Sequence, residues 1–209
     1  MSLLELLLKG GWIMVPILFL SIVTVYAILE RTMALSKTMG ISQNWLHILQ
    51  EQIVTGDIQG AELLCDKKHT PIARVLKAGI KKLDQPAETI EVAMQVAGQA
   101  EIYHLEKNLP LLGTIASTAP MLGFLGTVLG MIQAFMAMAQ STATAITPQL
   151  LSSGIYEAMI TTAAGLVVGI FADLGYKYLL TKVQKVSYRI ELTANQFLLF
   201  IQSNLKKTI

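Results

Sequence analysis

Charge is scarce in this chain, and one long stretch has none. No Asp, Glu, Lys or Arg occurs from Asn108 to Tyr156. Charged residues are 14% of the 209, against ~25% in a typical soluble domain, while 53% are hydrophobic. The net charge is only +2 and no basic stripe carries interleaved aromatics, so nucleic acid is not expected as a partner. A single cysteine, Cys65, excludes an internal disulfide. It has no activating neighbours and reads as an inert thiol. His47, His69 and His104 are too scattered for a metal cluster, so neither metal nor cofactor is expected. Phosphate-cradling loops, catalytic triads, strand alternation and internal repeats are all missing. The chain therefore reads as all-α and not as an enzyme.

What is present is hydrophobic length. A membrane span needs ~20 mainly apolar residues to cross ~30 Å of hydrocarbon. Three stretches meet that length: residues 10–30, 109–138 and 150–173. Trp12 and Tyr26 sit near the ends of the first, where amphipathic rings favour the interface, and Pro16 lies in its first turns. Residues 1–9 lack the basic start and small-residue cleavage site of a secretory signal and read as an N-terminal interfacial segment. Between the second and third spans, residues 139–149 are polar, uncharged and carry Pro148, as a turn between helices would. Residues 31–108 form a helical loop. Its last part, from Pro86, runs without a strong breaker to Pro110 and is expected to continue into the second span. Residues 174–209 carry Leu174, Tyr178, Val183, Val186, Ile190, Ala194, Phe197 and Ile201 at roughly helical spacing, predicting an amphipathic extension of the third span. The expected architecture is a polytopic membrane protein with three transmembrane helices, two of them extended into the cytoplasm.

Basic residues set the expected orientation. Nine lie in the loop, six after the third span, one (Lys9) before the first and none in the 139–149 turn. The positive-inside rule then puts the loop and C-terminus in the cytoplasm and the N-terminus and turn on the other side.

Small residues recur on one stripe of each later span. In the second they are Gly113, Ala116, Pro120, Gly123, Thr127, Gly130, Ala134 and Ala137; in the third Ala158, Thr162, Gly165, Gly169 and Ala172. Such stripes mark close helix–helix approach or a lumen. Gly123, Gly130, Gly165, Gly169 and Pro120 are the candidate packing positions. The polar groups at membrane depth are Glu157, Asp173 and the hydroxyls of Thr127, Thr161 and Thr162. Carboxylates in a membrane are costly and by default functional, whereas hydroxyls orient water without titrating near neutral pH. Asp173 lies eleven residues after Thr162, hence ~20° from the same helix face and ~16 Å toward the cytoplasm, at the inner mouth of a lumen. The bland alternatives are a capping role for Glu157 at a helix N-terminus, threonines bonded back to the preceding turn, and an Asp173–Lys177 surface pair.

The segments APMLGFLGTVLGM and EAMITTAAGL, with the three-span topology around them, resemble the ExbB/TolQ proton-channel family, related to the flagellar stator protein MotA. The resemblance implies a homopentamer in the bacterial inner membrane. It would surround helices of an ExbD/TolR-like single-span protein and, with a TonB/TolA-like energy transducer, use proton motive force for work on the outer membrane. It also implies that Thr127 and Thr162 are lumen hydroxyls and Glu157 the family's glutamate in the third span. Phe171 stands where the family commonly has Pro, Tyr176-Lys177 where it has Tyr-Asn, and Asp173 is outside its pattern. Two other classes compete: a small-solute transporter subunit, which would need a mid-membrane substrate site, and a structural scaffold, which needs no polar lumen.

Overall fold

A computed structural model describes residues 10–36, 38, 41–140 and 148–205. The N-terminal segment and most of the 139–149 turn lie outside the described residues. Among those described there are seven helices and no strand: α1 Met14–Ser36, α2 Gln43–Val54, α3 Ile58–Lys67, α4 Pro71–Ile80, α5 Ala87–Glu106, α6 Leu109–Gln140 and α7 Pro148–Leu205. Stretches within α1, α6 and α7 are long and apolar enough to cross a membrane, making this a multi-pass membrane protein. At 58 residues, α7 far exceeds one span.

The chain divides into two units. The first comprises Met1–Glu30 and Asn108–Leu179, so it holds most of α1, all of α6 and the first part of α7. Its centre is Ile115, Ala119 and Ala172, against which Leu20, Val23, Ala116 and Val168 pack. Outside this centre the polarity of a soluble fold is inverted. Phe19, Ile22, Phe124, Met159, Ile170 and Phe171 are all exposed, as side chains bathed in hydrocarbon would be. Thr24 is buried in α1 and donates its hydroxyl to the Leu20 carbonyl at 2.8 Å, which satisfies it within its own helix.

The second unit comprises Arg31–Lys107 and Leu180–Ile209. Local signals start its short helices. The Asp57 carboxylate accepts from the Gly60 N–H at 2.9 Å to cap α3, and the Thr70 hydroxyl accepts from Ala73 N–H ahead of Pro71 at the start of α4. Helix α4 is the buried one: Ile72, Ala73, Val75, Leu76 and Ile80 all turn inward. It is pinned at its edges by Arg74, which grips Glu101 of α5 with two donors, and by Lys77, paired with Asp66 of α3. Trp45 and Leu49 bury as the apolar face of α2, whereas Ile48 stays exposed. Burial holds the Cys65 thiol up at about 12, and the inert reading of this cysteine has a physical cause.

Two expectations about helix register need correction. The run from Pro86 does not continue unbroken into α6: Lys107 is extended (ψ 135°) and Asn108 is left-handed (φ 66°). Pro110 is the cause, because in a continuous helix its ring would clash with the Glu106 carbonyl. Asn tolerates the left-handed turn that results. Side chains from α1 hold both sides of the break. In the first unit Asn108 Nδ2 donates to Glu30 Oε2 at 3.3 Å, and in the second Arg31 donates to the His104 carbonyl at 3.2 Å. Farther on, Leu174 and Tyr178 face outward in α7, and the buried positions are Ala172, Leu179, Val183, Val186, Ile190, Phe197 and Ile201. The buried stripe advances by alternating threes and fours from the membrane part onward, so Leu174 and Tyr178 fall out of its phase.

Candidate functional site

The candidate site lies where α6 and α7 run antiparallel in the first unit. Small residues bring the backbones together along the whole contact. A Cβ on Gly130 would meet Gly154 and Ala158, one on Gly123 would meet the Thr162 Cα at 3.0 Å, and one on Gly165 would run into the Ala119 carbonyl. Gly169 lies over the Pro120 ring and the Ala116 carbonyl. That carbonyl is the one whose helical donor Pro120 lacks, so the approach of Gly169 falls where α6 is short of a hydrogen bond. The small-residue stripes are thus largely filled by contact inside one chain: Gly123, Gly130, Gly165, Gly169, Ala134, Ala158 and Ala172 are buried without any second copy, whereas Ala137 is exposed.

The three threonines differ in what they do. Thr162 is half-buried and reaches across the helix pair, donating to the Gly123 carbonyl at 2.9 Å. Thr161 is buried against Gly126, whose Cβ would collide with the hydroxyl, and it donates back to Ala158 at 2.8 Å and Glu157 at 3.3 Å. Thr127 is half-buried and donates back to the Phe124 carbonyl at 2.6 Å. Each hydroxyl oxygen keeps acceptor capacity for water or an acid.

Glu157 is half-buried and its carboxylate lies against Gly11, just before α1. It is the tenth residue of α7, well past the first turn, so it does not cap its own helix. Asp173 pairs with Lys177 at 2.8 Å, one turn on, with the two side chains 43% and 68% exposed. Among the described residues no group of His, Cys, Asp and Glu is arranged to hold a metal ion. The structure thus brings Thr161, Thr162, Gly123 and Gly126 together, sets Glu157 beside the start of α1, and leaves Asp173 in a surface pair. Gly126 and the Gly10-Gly11 pair join the site although neither was expected from the sequence. Gly126 was within reach, since it stands three after Gly123 and four before Gly130 on one face; the partner of Gly11 was not, because it is 146 positions away.

The profile of the MotA/TolQ/ExbB proton channel family matches residues 67–192, spanning parts of both units. An ExbB-like 1 biopolymer transport protein of Synechocystis is 34% identical over 189 residues, covering 89% of this chain and 74% of that one. The biopolymer transport protein exbB1 of Vibrio cholerae is 31% identical over 207 residues, 96% of this chain and 89% of the relative. The Tol-Pal system protein TolQ of Haemophilus influenzae is 43% identical over a shorter 94 residues, 45% of this chain and 40% of the relative. With three apolar helices, a charge-free contact between two of them and these relatives along most of its length, the chain belongs to the MotA/TolQ/ExbB proton channel family.

Proposed function

We propose that this chain is the channel-forming subunit of an inner-membrane motor that uses proton motive force to energise outer-membrane transport or envelope maintenance. The observation that carries the reading is Glu157: a half-buried carboxylate on a membrane helix, with three threonine hydroxyls within two turns of it or on the facing helix. A carboxylate on a membrane helix is costly and by default functional. On this reading Thr127 and Thr162 hydrogen-bond the transferred water or acid, Thr161 holds α7 against Gly126 behind them, and Asp173 draws cations to the inner mouth. A single chain offers too few titratable groups, so an ExbD/TolR-like single-span partner supplies a second carboxylate and a TonB/TolA-like transducer carries the work outward. Five copies surround the partner, with the N-terminus periplasmic and the basic loop and C-terminus cytoplasmic, following the distribution of Lys and Arg.

Proton flux in proteoliposomes tests this. Flux that needs both this chain and an aspartate-bearing single-span partner, and that falls when Glu157 is replaced by Ala, is the expected result. Flux of a small solute instead, or none under a proton gradient, would move the chain to the transporter or scaffold class.

A further inference from the structure

We infer that Gly11 is the positioning residue for Glu157: the left-handed, side-chain-free turn before α1 is the seat in which the Glu157 carboxylate rests. Gly11 has φ +67°, a conformation L side chains rarely adopt. A Cβ built there would overlap Glu157 Oε1 and stand 3.0 Å from its Cδ and 3.8 Å from its Cγ, so the whole end of the side chain lies across the bare Cα. The neighbouring residue makes the same approach: a Cβ on Gly10 would meet Met14 and, at 3.5 Å, Ile160. Glu157 and Ile160 are three apart on one face of α7, so the two glycines seat on adjacent side chains of that face. Gly10, Ile13 and Met14 are buried, which makes the turn a packed contact. Its chemistry suits an anion. The turn leads directly into α1, Met14 N–H closing on the Gly11 carbonyl at 3.2 Å, and the first turn of a helix presents N–H groups and a partial positive charge.

The role assigned to Gly11 rests on reading Glu157 as part of the proton path, but its position is testable without flux. The full chain, co-expressed with its single-span partner in membranes, is treated with dicyclohexylcarbodiimide, and modification of Glu157 is followed by mass spectrometry. Gly11→Asn tolerates the left-handed turn yet adds a side chain where the carboxylate lies. It should change the labelling rate of Glu157 by about fivefold or more, as ~1 kcal/mol of displaced contact implies. The shorter Glu157→Asp should restore wild-type-like flux in the Gly11→Asn background, which a merely structural glycine would not allow. Unchanged labelling in Gly11→Asn overturns the inference. Changed labelling with unchanged flux upholds the seat and removes Glu157 from the path. If Gly11→Asn does not accumulate, Glu157→Ala added to it should restore accumulation by removing the collision; failure to do so also overturns the inference.

Discussion

Thr162 of α7 donates its hydroxyl to the backbone carbonyl of Gly123 in α6, at 2.9 Å across 39 positions of sequence. The Gly123 carbonyl has a second lone pair for its helical partner, so the bond ties two spans together without breaking either helix. Thr162→Val keeps the shape and deletes that bond. Hydrogen bonds between membrane helices average ~0.6 kcal/mol, so melting in detergent should fall only slightly while proton flux is lost. Thr161→Val serves as the contrast: its hydroxyl bonds only within α7, and flux should survive. Equal flux in wild type and Thr162→Val would take this hydroxyl out of the mechanism.

Gly165→Ala should be among the most damaging single-methyl changes in the first unit. Its Cβ would press on the Ala119 carbonyl and on the Gly123 backbone, atoms that move only if the helices part. Overpacking of this kind costs about 1–3 kcal/mol. The thermal stability of purified protein measures it, and a melting temperature within error of wild type would show that α6 and α7 are not so closely joined.

Asp173→Asn separates an ion pair from a lumen charge. A surface pair one helical turn apart is worth only ~0.3–0.5 kcal/mol, so stability and oligomeric state should be unchanged. If Asp173 also draws protons to the inner mouth, flux of the Asn variant falls below wild type at low ionic strength, and the gap closes as added salt screens the charge. Identical flux under both conditions leaves Asp173 as the partner of Lys177 alone.

Cys65 should resist alkylation. Burial raises its pKa from 9.0 to about 12, so at pH 8 the folded protein keeps it as the unreactive thiol. The contribution of the buried thiol to stability is fully present below pH 9 and is lost as pH rises from there toward 12, because the unfolded thiol ionises first. Maleimide labelling at pH 8 in native protein and in denaturant, compared side by side, checks the first point. Rapid native labelling would place the thiol outside the core.

Arg74→Lys tests the link between α4 and α5. Lysine keeps the charge and loses the two-pronged grip on Glu101, whose side chain is only 12% exposed. Because the guanidinium itself is 51% exposed, water screens the pair and the expected loss is below ~1 kcal/mol. Denaturant melts at low and high salt should differ less for the variant than for wild type.

By itself the sequence determined where the membrane helices lie, because an apolar run of span length has few other homes, and the small-residue stripes marked which faces approach closely. Motif length made the family legible before any coordinates. The Asp57 and Thr70 caps are local as well, each side chain meeting an N–H three residues on, although Thr70 was not read as a cap from the sequence. Only the tertiary structure decided what those faces meet. It turned Gly123, Gly165 and Gly169 toward the facing helix of their own chain, gave the adjacent Thr161 and Thr162 different hydrogen-bond partners, and shifted the buried stripe of α7 off Leu174 and Tyr178. It also joined Glu157 to Gly11. Helical periodicity reports the face a residue shares with its neighbours three and four away. It is blind to which distant segment covers that face, since that depends on how three helices pack at once.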